Sequence, residues 1–163
     1  MGMIYHISGD ALTACKGGIL CHQTNYFGVM GAGIAAAIEV KLLSRDNYME
    51  YVHICKKLGH KILGSVQFLD TPNGTVVANC FSQDDEANAY PNGRIAPSTD
   101  YKAVRRCMES VRSRAEFLDK PVYLPYKYGC GIAGGDWNKV LEIINDVFKD
   151  STVDVCIVKR PQD

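Results

Sequence analysis

Two glycine-rich segments carry the residues with the clearest potential for chemistry. The first spans residues 22–34 and contains Asn25, Gly31 and Gly33, and the second spans residues 129–137. Each follows a predicted strand and opens a predicted helix, where backbone N–H groups and the positive helix terminus can approach a phosphate closely. One such loop is often only a tight turn. Two of them in a single small domain favour a clamp for a diphosphate.

The second segment also matches the pattern G-x-G-x-x-G at Gly129, Gly131 and Gly134, which is the fingerprint of dinucleotide-binding Rossmann domains. The context of the match is poor, because the acidic residue expected about 20 positions later has no counterpart at the end of the next strand. Asp154 lies near the start of that strand instead. No G-x-x-x-x-G-K-[ST] sequence occurs, which argues against a P-loop nucleotidase.

The elements that must position these loops alternate between strand and helix. Apolar residues at helical spacing predict a helix from Gly31 onward, a second one ending near Gly59, a third capped by Ser98 or Thr99, and a last one beginning near Trp137. Strands are predicted at residues 3–8, 19–23, 65–70, 75–81, 122–125 and 153–158, and the turn Pro72-Asn73-Gly74 predicts a hairpin between the third and the fourth. Residues 83–97 are predicted to form a long surface loop. This order predicts one α/β domain over residues 1–163, a three-layer α/β/α sandwich around a mixed, mostly parallel sheet.

Composition excludes several other classes. The 163 residues carry 18 Lys and Arg against 18 Asp and Glu, so the net charge argues against a general nucleic-acid or membrane-surface binder. The seven cysteines are odd in number and form no C-x-x-C pair, which favours free thiols in a reducing compartment over a zinc site. No signal-peptide pattern or membrane-spanning run is present, and we expect a cytoplasmic protein without a metal or cofactor.

Together these motifs resemble the macrodomain family over nearly the whole chain. The residues that carry the resemblance are Gly9-Asp10 after the first strand, Asn25 with the segment 31–35, and the segment 129–137. The resemblance implies an ADP-ribose site at the carboxyl ends of the strands. In such a site Asp10 would bond the adenine amino group, and Asn25 would contact the distal ribose. The full set of implied ligand-binding residues is Asp10, Ala11, Asn25, Gly31, Ala32, Gly33, Ile34, Gly129, Cys130, Gly131, Ile132, Ala133 and Gly134.

Within that family the chain lacks the acids of two hydrolase branches. The acidic residue that follows the first glycine loop in mono-ADP-ribosyl hydrolases corresponds here to Ala35, and the second-loop aspartate of terminal ADP-ribose glycohydrolases corresponds to Ala133. The sequence is more similar to small yeast-type phosphatases that act on ADP-ribose 1″-phosphate, on the strength of His22 and Asn25. That resemblance implies that both residues are catalytic, with His22 accepting a proton from an attacking water.

Several alternatives remain open from the sequence. The protein could be a mono-ADP-ribosyl hydrolase that acts on ADP-ribosylated macromolecules, a reader that binds ADP-ribose without turnover, or a Rossmann oxidoreductase that prefers NAD(H). Individual residues also have simpler explanations: His22 could only bond a neighbouring carbonyl in a buried strand, Asn25 could only form a turn, and Asp136 is expected to cap the last helix. Cys130 is expected to contribute its backbone and not a nucleophilic thiolate.

Overall fold

The computed structural model describes residues 1–31, 33–84, 98–131 and 133–163. The strands in this part of the chain are β1 (Ile4–Ser8), β2 (Ile19–Thr24), β3 (Val66–Asp70), β4 (Val76–Phe81), β5 (Val122–Pro125) and β6 (Val155–Lys159). The helices are α1 (Ala11–Ala14), α2 (Gly33–Lys41), α3 (Arg45–Leu58), α4 (Tyr101–Leu118) and α5 (Trp137–Val147), and a 3₁₀ turn covers Gly59–Ile62.

The strands form one mixed sheet in the order β1-β6-β5-β2-β4-β3. All neighbouring pairs are parallel except the β3–β4 hairpin at one edge, where Gln67 lies opposite Asn79. The predicted hairpin and the predicted mixed, mostly parallel sheet are therefore confirmed.

Helices cover the sheet on two faces, as a largely parallel sheet requires. On one face Cys21 of β2 and Ala78 of β4 pack against α4 and α5 through residues such as Val104 and Ile144. On the other face Leu20 packs with Ala11 of α1 and Ile38 of α2, while Tyr51 of α3 packs near Phe81. The predicted three-layer sandwich is confirmed, and side chains of β2 are buried on both of its faces.

The start of α4 differs from the prediction. Asp100, and neither Ser98 nor Thr99, is the N-cap, and its side chain accepts a hydrogen bond from the N–H of Ala103 at 2.9 Å. Ser98 instead donates its N–H to Ala133 O at 2.8 Å, and Thr99 pairs with Gln83 in an isolated bridge. The two expected capping residues thus connect the start of α4 to the segments after β5 and β4.

Two short elements were not predicted, namely α1 and the 3₁₀ turn. Most of the predicted loop 83–97 lies outside the described residues. Among the helices that are described, none combines the length and apolar character needed to cross a bilayer.

Candidate functional site

A cleft of about 1040 Å³ opens where β2 and β5 end. These two strands are neighbours, but the chain leaves them toward opposite faces of the sheet, to α2 after β2 and to α5 after β5. A crevice forms at such a topological switch point in open α/β sheets, outside the carboxyl ends of the strands. Both predicted glycine loops therefore reach one cleft, the first through Gly31 and Gly33 and the second through Gly129 and Gly131.

The N-terminus of α2 faces this cleft, with Gly33, Ile34 and Ala35 on the wall. Side chains cap the other four helices of the described residues, and Asp10, Ser44, Asp100 and Asp136 supply those caps. The residue before Gly33 is an alanine, which has no side-chain acceptor. The first N–H groups of a helix have no partner within the helix, so those of α2 are suited to bind an anion.

Asn25 lines the cleft and also organises the loop that follows β2. Its Oδ1 accepts hydrogen bonds from the Phe27 N–H at 3.0 Å and from the Tyr51 hydroxyl at 3.1 Å. Its Nδ2 donates to the Val29 carbonyl at 3.0 Å. Since an amide nitrogen carries two hydrogens, one N–H of Asn25 remains for a ligand.

A polar network under the second glycine loop holds its backbone in place. The Thr99 hydroxyl donates to Gly129 O at 2.6 Å and accepts from Gln23 Nε2 at 3.1 Å. The Ser82 hydroxyl donates to Gln23 Oε1 at 2.7 Å and lies 2.7 Å from the Tyr128 hydroxyl. Because these groups are buried or half-buried and bonded to one another, the loop has a defined shape before any ligand arrives.

The thiol of Cys130 lies on the cleft wall, but it is poorly suited to nucleophilic attack. Burial, with a smaller contribution from the charge of Asp136, raises its pKa to about 11. The sulfur donates to the Tyr128 carbonyl at 3.2 Å. At neutral pH the group is therefore a protonated thiol. Since only the thiolate is a strong nucleophile, Cys130 is not expected to attack a ligand, in agreement with the expectation from the sequence.

The end of the cleft beside β1 and β6 has a different chemical character. Asp10, which follows β1, uses Oδ1 to accept the N–H of Leu12 at 2.9 Å, and its exposed carboxylate also lines the cleft. Asp163 forms an ion pair with Arg160 at 3.0 Å. Adjacent strands lie about 4.8 Å apart, and β1 is three strands from β2. Asp10 therefore lies about 14 Å across the sheet from the end of β2.

His22 is not on the cleft wall, contrary to the catalytic role inferred for it from the sequence. Its side chain is fully buried within the sheet, where Nε2 lies 2.6 Å from Asn79 Oδ1. Asn79 donates in turn to Gln67 Oε1 at 3.1 Å, which assigns the hydrogen of the imidazole to Nε2. Burial lowers the pKa of His22, so the ring is neutral at physiological pH. A proton acceptor must reach the reacting water, and this ring is separated from the cleft.

The predicted ligand-binding residues divide into three groups according to where the structure places them. Gly134 is exposed but lies off the cleft wall, and its N–H closes a turn with Gly131 O at 2.9 Å. Ala32 and Ile132 lie outside the described residues. The predicted residues that line the cleft are Asp10, Ala11, Asn25, Gly31, Gly33, Ile34, Gly129, Cys130, Gly131 and Ala133.

Sequence reasoning missed several polar residues of the wall, among them Gln23, Thr24, Lys127 and Arg160. All four lie at the carboxyl end of a strand or within two residues after it. The rule that ligands bind beyond the carboxyl ends of parallel strands could therefore have located them. Within the described residues, no group of three or more His, Cys, Asp or Glu side chains could hold a metal ion.

Comparison with known proteins identifies the fold. No family model matches the sequence, and no curated protein matches it with statistical significance. A protein of unknown function from Bacteroides thetaiotaomicron has a TM-score of 0.81 and 28% identity, covering 96% of this chain and 97% of that one. The macrodomain of Mycobacterium tuberculosis DarG has a TM-score of 0.78 and 25% identity, covering 99% of both chains.

A third structure, Thermosipho africanus DarTG in complex with ADP-ribose, has a TM-score of 0.71 and 16% identity, covering 95% of this chain and 41% of that one. These neighbours establish that the chain has the macrodomain fold, as the resemblance implied. The third of these structures was determined with ADP-ribose bound.

Proposed function

We propose that this protein binds ADP-ribose, or a derivative of it, in the cleft between β2 and β5. One observation carries the proposal: a carboxylate at one end of the cleft lies about 14 Å across the sheet from the end of β2 and about 10 Å from the end of β5, the two strands whose glycine loops line the cleft. Adenine offers an exocyclic amine to Asp10, and a diphosphate offers oxygens to the backbone around Gly31 and Gly131. An adenine nucleotide diphosphate matches that order of donors and acceptors.

The comparisons support the same ligand. The DarG macrodomain is 25% identical to this chain over almost its whole length, and the DarTG complex with ADP-ribose shares its fold. In this chain the same fold carries both the polar residues at one end of the cleft, such as Asp10, and the two glycine loops. Within that proposal, Asn25 donates its remaining N–H to the ligand.

We further propose that any turnover is dephosphorylation of ADP-ribose 1″-phosphate. Glycosidic cleavage generally uses a pair of carboxylates. The carboxylates among the described lining residues are Asp10, which caps α1, and Asp163, which pairs with Arg160. Phosphoryl transfer depends mainly on positioning and on N–H groups that stabilise charge, so it needs less from the side chains. This favours a phosphatase over a mono-ADP-ribosyl hydrolase.

A reader of ADP-ribose or of ADP-ribosylated macromolecules is the second candidate. The observation in its favour is that His22, the proton acceptor inferred from the sequence, is buried away from the cleft.

We also propose a cytoplasmic location, because all seven cysteines are unpaired.

Calorimetric titration with ADP-ribose, with ATP and NAD as controls, tests the binding proposal. A Gly131→Glu variant provides the matched perturbation, because a Cβ atom added at this position meets nothing within 4 Å and the residue lines the cleft, so the variant adds a negative charge there. Repulsion from the diphosphate is expected to weaken binding about a hundredfold or more. Ser113→Glu, which adds the same group on α4 at a separate groove, is expected to bind like the wild type.

Two results would contradict the proposal: no ADP-ribose binding by the wild type, or equal binding by the wild type and Gly131→Glu. Release of inorganic phosphate from ADP-ribose 1″-phosphate then separates enzyme from reader. A phosphatase is expected to release phosphate at a rate that falls at least about tenfold in Asn25→Ala. Loss of label from an ADP-ribosylated protein, absent in a heat-killed control, would instead favour the hydrolase.

A further inference from the structure

Tyr51 contacts the cleft loop from behind, although its helix contributes no residue to the cleft wall. It lies on α3, and its side chain has no exposed surface. Its hydroxyl lies 3.0 Å from Asn25 O, 3.1 Å from Asn25 Oδ1 and 3.4 Å from Val29 O. One buried hydroxyl, which carries a single hydrogen, therefore lies within hydrogen-bonding distance of three oxygens of the loop that carries Asn25.

The ring of Tyr51 is held as firmly as its hydroxyl. It stacks on Phe81 at a centroid distance of 6.2 Å and an interplanar angle of 16°, and it lies 5.9 Å from the ring of Tyr48. Burial raises its pKa well above the ordinary value, so the hydroxyl keeps its proton. The group is therefore a protonated hydroxyl on a buried ring that packs against two other aromatic rings.

The bonds of the Asn25 amide explain what that donor does. Oδ1 is held by the Phe27 N–H and the Tyr51 hydroxyl, and Nδ2 is held by Val29 O. If Oδ1 and Nδ2 exchanged places, the Asn25 NH₂ group would face the Phe27 N–H, so that two donors would meet. Oδ1 would then face Val29 O, so that two acceptors would meet. The amide therefore has one orientation, and the second hydrogen of Nδ2 has one direction.

We propose that Tyr51 is a positioning residue that directs the free N–H of Asn25 toward the ligand. The inference rests on the proposed function, because it assigns a ligand contact to Asn25. Tyr51 contacts no ligand itself. Its effect on affinity passes through the side-chain amide of Asn25.

The test compares Tyr51→Phe with Tyr48→Phe. The first variant removes only the hydroxyl and retains the ring that stacks on Phe81. The second removes the neighbouring hydroxyl, which lies 3.4 Å from Gly28 O and does not contact Asn25. Tyr51→Phe is expected to weaken ADP-ribose binding about fivefold, as the loss of one well-placed hydrogen bond predicts. Tyr48→Phe is expected to change it less than about twofold.

A double-mutant cycle distinguishes positioning from a general loss of structure. In an Asn25→Ala background, Tyr51→Phe is expected to have almost no further effect on ADP-ribose affinity, because the residue it acts through is gone. The same fivefold loss in both backgrounds would overturn the proposal, as would wild-type affinity for Tyr51→Phe alone.

A ligand-free measurement keeps the inference separate from the proposed function. The side-chain amide signals of Asn25 in NMR spectra are expected to shift or broaden in Tyr51→Phe and to stay unchanged in Tyr48→Phe. If the wild type binds no ADP-ribose, the proposed function fails while this measurement still tests the contact. Unchanged Asn25 signals in Tyr51→Phe would refute the positioning role directly.

Discussion

Replacement of Gly135 by alanine tests whether the backbone of the second glycine loop is as closely packed as the structure indicates. A Cβ atom at this position would lie 2.6 Å from Gly129 O, 3.1 Å from Thr99 Oγ1 and 3.2 Å from Thr99 Cβ. Gly129 O accepts the Gly135 N–H at 2.9 Å and the Thr99 hydroxyl at 2.6 Å, so the methyl group must displace the acceptor of two hydrogen bonds. Overpacking of this kind costs about 1–3 kcal/mol.

Weakening of one of those hydrogen bonds adds about 1 kcal/mol, which brings the expected loss to about 2–4 kcal/mol. At about 2–4 °C per kcal/mol for a domain of this size, Gly135→Ala is expected to lower Tm by roughly 4–16 °C. Urea unfolding should give a lower midpoint with an unchanged slope, and binding of ADP-ribose should weaken because the loop has moved.

Gly131→Ala is the matched control in the same loop. An added Cβ there meets nothing within 4 Å, and the residue lacks a left-handed φ. Its stability is expected to stay within about 1 kcal/mol of the wild type, with a slight gain from the reduced freedom of the unfolded chain. Equal urea midpoints for Gly135→Ala and Gly131→Ala would refute the described packing of Gly129 and Thr99.

Two further predictions concern titratable groups. Burial lowers the pKa of His22 in the folded protein, so its contribution to stability is fully present above the unfolded pKa of about 6.5 and is lost as the pH falls below that value toward the folded pKa. Replacement of His22 by glutamine should therefore make the free energy of unfolding depend less on pH below about pH 6.5. An unchanged pH dependence would contradict burial of the neutral ring. Alkylation of Cys130 by iodoacetamide, followed by mass spectrometry, should still accelerate from pH 9 to pH 10, because burial and Asp136 raise its pKa to about 11; a rate that levels off by pH 9 would disagree with that environment.

Local signals made much of the fold predictable. The Asn73-Gly74 turn predicted the β3–β4 hairpin, and Gly59 is the C-cap of α3, as expected. Asp136 caps α5 by accepting the N–H of Asn138 at 2.9 Å. Each of these features depends on residues close together in the chain, so a short stretch of sequence contains the physical cause.

Features that depend on distant partners were not predictable in the same way. Ser98, Thr99 and Asp100 can all cap a helix, and the choice of Asp100 reflects the bonds of the other two to residues after β5 and β4. Likewise, β2 is buried on both faces, so no alternation of polar and apolar residues shows which way His22 points. Its partner Asn79 is 57 positions away.

The candidate site shows the same division between local and distant causes. Each glycine loop can be recognised from its own residues, because the turn after a strand and the start of a helix are local. That the loops meet depends on strand order: β5 pairs with β2 only because the chain crosses to the far side of β2 after β4 and α4. If β5 had paired beyond β3, the same two loops would lie about 14 Å apart across the sheet and could not enclose one diphosphate. The proposed ligand class therefore depends on the sheet topology as much as on the loops, and substitutions within one loop test only the contribution of that loop.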